Sequence, residues 1–122
     1  MSFGEKVRAL RQAKTLTLRQ LALKVDVGFT YLSKIENDKL EDGHTASESL
    51  IDQLATVLDA DADELLLLAK KVPPTIRQRI MERPEAFRKV ALLDNDSLEM
   101  LADGIDENGK LHLTKPTHRN GP

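Results

Sequence analysis

The stretch Thr17-Leu18-Arg19-Gln20-Leu21-Ala22-Leu23-Lys24-Val25-Asp26-Val27-Gly28-Phe29-Thr30-Tyr31-Leu32-Ser33-Lys34-Ile35-Glu36-Asn37 decides the fold. Its opening Thr-x-x-Gln has the form of a capping box, and Leu18, Leu21, Ala22 and Val25 then supply the buried stripe of a helix that stops near Lys24. Asp26 stands between two valines, where a sharp turn between helices needs a residue that tolerates positive φ, and Asp is among the best after Gly. From Gly28 the helical period resumes with Leu32 and Ile35 inward, leaving Thr30, Ser33, Lys34 and Asn37 on a face with nothing apolar on it. Upstream, Ser2-Phe3-Gly4-Glu5 is a second capping box, opening a helix over roughly residues 3–14 with Phe3, Val7 and Leu10 on one side. A short helix, a tight turn and another short helix form a helix-turn-helix, which on geometry alone is also an ordinary αα-corner.

The residues decide between these. Leu21-Ala22-x4-Val27-x3-Tyr31-Leu32-Ser33-Lys34-Ile35-Glu36-Asn37, preceded by Arg8-x-x-Arg11, resembles the lambda-repressor/Cro-type (XRE) helix-turn-helix family. Leu50-Ile51-x-x-Leu54-Ala55-x-x-Leu58 and Asp63-Glu64-Leu65-Leu66 match the last two helices of that family, so the resemblance spans about residues 3–68. Two positions depart from the pattern: Asp26 replaces the usual Gly of the turn, and Gly28 replaces the usual Ser or Thr cap. The loop over 38–44 is also longer than the commonest version. The resemblance implies that the third helix enters the major groove while the second lies across the phosphate backbone. Phe29, Thr30, Ser33 and Lys34 then become base-reading candidates, and Arg19, Tyr31, Asn37 and Lys39 candidates for phosphate contacts. It further implies a structural ion pair between Arg11 and Glu36, linking the first and third helices.

Charge segregation agrees with a polyanion-facing surface. The net charge is −2, but residues 1–40 carry +4 and residues 41–71 carry −6. Composition points the same way on fold class: aromatic residues make up 3% and there is no Trp, beside abundant Leu, Ala, Lys, Arg and Glu, which favours helices over a β-sandwich. With no cysteine, disulfide scaffolds, thiol catalysis and zinc ribbons are excluded. The start has no apolar signal region, and the longest aliphatic run, Leu65 to Ala69, is far too short to span a bilayer, so the reading is a cytoplasmic chain with no membrane contact.

Asp59-x-Asp61-x-Asp63 imitates the start of a calcium loop, but Glu64 stands where the sharp turn needs Gly and Lys70 where a bidentate Glu belongs. Asp61-x-x-Glu64 reads more simply as a helix cap. His44, His112 and His118 lack ligand spacing, and no nucleophile–base set or phosphate-cradling loop can be assembled, so no metal, cofactor or catalytic residue is expected.

Val72-Pro73-Pro74 marks a boundary, since paired prolines end one helix and can open the next. Beyond it come three short helices: one with Ile76, Ile80 and Met81, one started by Pro84 with Phe87 and Val90, and one capped by Asp94 or Asp96 with Leu98 and Leu101, ending at Gly104. This patch is too small for its own core. It either packs back on Leu54, Leu58, Leu65 and Leu68 or self-associates through Ile76, Ile80, Phe87, Val90, Leu98 and Leu101. Residues 110–114 alternate weakly, as an edge strand or a flexible end.

The expected organisation is all-α: a five-helix lambda-repressor-like DNA-binding domain over 1–71, a short helical C-terminal extension over 72–105 for dimerisation or partner docking, and a polar, flexible tail over 106–122. The expected function is a non-enzymatic, sequence-specific regulator that binds double-stranded DNA, with the family resemblance implying a repressor that occupies a palindromic operator as a homodimer. The alternative is an antitoxin-type module that neutralises a partner protein and autoregulates through the same domain.

Overall fold

In the computed structural model, the described residues are 1–41 and 44–113, and they form eight helices. The first five are α1 (Phe3–Ala13), α2 (Leu18–Lys24), α3 (Phe29–Glu36), α4 (Glu48–Leu58) and α5 (Ala62–Leu68). Both capping boxes form: the Ser2 hydroxyl accepts from Glu5 N while the Glu5 carboxylate accepts from Ser2 N, and Thr17 and Gln20 make the same exchange. Asp61 caps α5 as its spacing predicts, accepting from Asp63 N and Glu64 N. Two compact units are present, Met1–Arg77 and a second from Gln78 onward.

The first unit owns the hydrophobic core. Val7, Leu21, Leu32, Ile51, Leu54 and Leu65 are fully buried, with Val25, Ile35, Leu58 and Leu66 beside them. These are the inward positions of the helical periods, and their burial at about 1.5–3 kcal/mol per side chain is the main force holding short helices that would be marginal alone. Helix α3 packs on α1 and α2, α4 packs on α5, and α1 spans α4 and α5. Pro73 is fully buried, and Arg77 donates to Glu48 at 3.1 Å and to the carbonyl of Val72 at 3.1 Å, so this unit runs past Lys71.

Helices α6 (Pro74–Glu82), α7 (Pro84–Val90) and α8 (Asn95–Asp103) follow, with Asp94 capping α8 through Ser97 N. None of the three contains a buried residue. Ile80, Phe87, Val90 and Leu101 are half-buried, and Ile76 and Leu98 are exposed. Gly104 ends α8 at the predicted position but in right-handed geometry, so positive φ is not what places a glycine there. A Cβ at Gly104 would lie 2.9 Å from the carbonyl oxygen of His112, because Ile105 and Leu111 form an antiparallel bridge and His112 N donates to Gly104 O at 2.6 Å. The Asp106 carboxylate organises the intervening turn, accepting from Asn108 N and Lys110 N at 2.9 Å, with His112 Nε2 at 2.7 Å. These hydrogen bonds, led by the one from Lys110 N, hold the Asp106 carboxyl below its ordinary value. Thr114 and the remainder of the expected tail, His118 included, lie outside the described residues.

Candidate nucleic-acid interface

Both short helices of the central stretch end by the same device. After α2, Asp26 adopts the left-handed conformation at φ 55°, and Val27 N donates back to Ala22 O at 3.0 Å. After α3, Asp38 does so at φ 55°, and Lys39 N donates back to Lys34 O at 2.8 Å. Such closures satisfy carbonyls that a helix end leaves unpaired. The first aims α3 across α2. Gly28 caps the start of α3 without a side-chain hydrogen bond.

The back of α3 is clamped to α1 through Glu36, whose side chain is only 2% exposed. Arg11 grips it with two prongs, Nε to Oε2 at 2.7 Å and Nη2 to Oε1 at 3.0 Å, and spends its third nitrogen on the carbonyl of Leu16 at 2.9 Å. The hydrogen bond with Glu36 raises the Arg11 guanidinium above its ordinary value against the opposing effect of burial. Arg8 reaches the same carboxylate at 3.5 Å and donates a short hydrogen bond to Asn37 Oδ1. Asn37 in turn donates to Ser33 O at 2.8 Å. Asn37, read from the sequence as a phosphate candidate, therefore closes the end of α3.

With its back fixed, α3 exposes Thr30, Tyr31 and Lys34, with Ser33 half-buried between them. Tyr31, Lys34 and Lys39 line one groove with Leu40, Glu41, His44 and Thr45. The remaining pair, Phe29 and Arg19, meet directly: the Arg19 guanidinium carbon lies 4.4 Å from the Phe29 ring centroid.

Among the described residues the cations of the first 40 positions divide by location. Lys6, Arg8, Arg11 and Lys14 are all ion-paired. Arg19, Lys24, Lys34 and Lys39, all of the helix-turn-helix segment, take part in none of the ion pairs among the described residues. Cations without a carboxylate partner are what a phosphate backbone attracts.

Residues 2–68 match the family model described as a helix-turn-helix domain, more than half of the chain. This chain belongs to the lambda-repressor/Cro-type (XRE) helix-turn-helix family. It is accordingly a DNA-binding transcriptional regulator. This helix-turn-helix chain is 32% identical over 110 residues to the HTH-type transcriptional repressor RghR of Bacillus subtilis (strain 168), covering 82% of this chain and 79% of the relative. It is 33% identical over 88 residues to the uncharacterized HTH-type transcriptional regulator RghRB of the same strain, covering 72% of this chain and 60% of that protein. Among solved structures, that of the master regulator for biofilm formation SinR in complex with DNA matches 52% of this chain and 97% of its own, with 30% identity and a TM-score of 0.47. Among the described residues no helix is long and apolar enough to cross a membrane.

The sequence pattern did not reveal two contributors to this helix-turn-helix frame. Asp38 accepts from Ser2 Oγ at 2.6 Å and from Gly4 N at 3.1 Å, pinning the start of α1 to the end of α3. The other is the Arg19–Phe29 stack. Both depend on approaches between helices, for which no local spacing is a signal.

Proposed function

We propose that this chain is a sequence-specific repressor whose first unit reads duplex DNA through α3 and whose second unit joins two copies on a palindromic operator. The observation that carries it is that Arg19, Lys24, Lys34 and Lys39, all of the helix-turn-helix segment, form no ion pair among the described residues, while α3 exposes Thr30, Tyr31 and Lys34. In this reading Thr30, Ser33 and Lys34 contact base edges, with Phe29 beside them, and Tyr31 and Lys39 contact phosphates. The repressor assignment draws on the similarity to RghR along most of its length. Blocking a promoter requires nothing of the protein beyond occupancy, so the assignment adds no chemistry.

Selection from a random duplex library, followed by titration at several salt concentrations, tests the DNA reading. Affinity for the selected duplex should fall steeply with salt as phosphate contacts release counterions. Lys34→Ala should lose about 1–3 kcal/mol on that duplex and far less on a scrambled one, whereas Lys39→Ala should weaken both alike. Equal affinity for selected and scrambled duplexes would refute a sequence-specific regulator.

The homodimer is supported by the second unit. Met81, Leu92 and Met100 stand more than half exposed, and Leu98 adds to them, which is more apolar surface than such short helices hide. Two copies also read two half-sites, multiplying affinity without new contacts. Sedimentation of the full chain at micromolar concentration should give a dimer. A monomer there would remove residues 72–105 from the role of dimerisation.

A further inference from the structure

We propose that Arg19 is a base-reading residue for guanine, held in place by Phe29, rather than a phosphate contact; this rests on the reading of α2 and α3 as the DNA-binding surface. An arginine near the start of the helix that crosses the backbone would ordinarily extend toward phosphate. Here the guanidinium is instead folded over the ring of Phe29, at 4.4 Å from its centroid. Phe29 is the first residue of α3, at the end of the recognition helix that meets base edges. The stack therefore transfers a cation from the backbone-facing helix to the base-reading position.

The chemistry of the pair favours guanine. A guanidinium presents a planar fork of donors that matches the O6 and N7 acceptors on the major-groove edge of guanine, and it is the side chain that stacks best on an aromatic face. Stacking on the ring leaves the N–H edge available for hydrogen bonds. Among the described residues Arg19 takes part in no ion pair, so no carboxylate has to be displaced before the fork engages. The ring also restricts the long side chain in advance, which lowers the ordering lost on binding. Phe29 is still 40% exposed, enough to meet a thymine methyl beside the guanine while it positions Arg19. Among the described residues neither Lys24 nor Lys39 stacks on an aromatic ring, and these two are left to the phosphates.

The test is a cycle between side chain and base, using the full chain and its selected duplex. Each guanine is replaced in turn by 7-deazaguanine, which lacks only the N7 acceptor, and binding is measured for the parent, Arg19→Ala and Phe29→Leu proteins. At one guanine per half-site the parent should lose about tenfold in affinity, the size of one good base contact. Arg19→Ala should be indifferent to that replacement, and Phe29→Leu should lose most of the sensitivity while keeping its Arg19. Thermal unfolding of each protein checks that these exposed substitutions leave the fold unchanged. If Arg19→Ala binds more weakly yet retains the full 7-deazaguanine penalty at every position, Arg19 contacts phosphate and the proposal is overturned. Undiminished sensitivity in Phe29→Leu would overturn the positioning role of the ring. Should the parent prefer no duplex at all, the DNA-reading assignment fails first, and the proposal with it.

Discussion

Replacing Arg11 with methionine is expected to destabilise the first unit by about 3 kcal/mol, and replacing Glu36 with leucine in the same molecule is expected to restore part of that loss. The reason lies in the unequal burial of the two partners. Arg11 is 14% exposed and retains the carbonyl of Leu16 as an acceptor, whereas Glu36 is 2% exposed. Without Arg11, the carboxylate keeps, among the described residues, only Arg8, at 3.5 Å and 39% exposed, as a cation partner. A buried charge that loses its main partner pays most of its desolvation without return, while removing both charges leaves an apolar pair where α1 meets α3. Urea unfolding of the parent, both single variants and the double variant gives the coupling directly. A coupling energy within error of zero would mean that Arg11 and Glu36 act as independent charges.

The part of the fold that was legible in the sequence is the part built from local chemistry. Ser2 with Glu5, Thr17 with Gln20, and Asp61 with Glu64 each mark a helix start within four residues, because the cap and its hydrogen-bond partner lie in one turn. Asp26 was readable as left-handed because it sits between two helical periods with only one short turn to join them. Thr15, Asp38, Asp59 and Lys70 adopt the same conformation, at φ 55° to 62°, and the side chains of Thr15 and Lys70 carry no signal for it. The exposed face of α3 followed from periodicity. What its members touch did not: Asn37 turns back on Ser33 and Arg8, and Arg19 lies over Phe29, because such contacts depend on the angle between helices rather than on spacing along one. Gly104 shows the same limit, since its position at a helix end was evident while its reason, the approach of His112, was not.

Gly4→Ala is expected to destabilise the first unit by about 2–4 kcal/mol, the opposite sign from helix propensity, which favours alanine over glycine in a helix interior by about 1 kcal/mol. Gly4 is buried in the first turn of α1, against the end of α3. A Cβ there would overlap the carbonyl oxygen of Ile35 and lie 2.6 Å from Asp38 Oδ1 and 2.8 Å from the carbonyl oxygen of Glu36. Two of these three atoms belong to the backbone of α3, so a rotamer change cannot relieve the overlap. The helices must separate, and separation also breaks the bonds from Ser2 Oγ and Gly4 N to Asp38. Overpacking at about 1–3 kcal/mol together with a lost charge-assisted hydrogen bond exceeds the propensity gain. The same displacement moves the end of α3 away from Arg8 and Arg11, so Gly4→Ala and Arg11→Met should be less than additive in a double variant. Chemical denaturation decides the sign: a midpoint equal to or above that of the parent would show that α1 and α3 separate at no cost and that Asp38 does not fix the recognition helix.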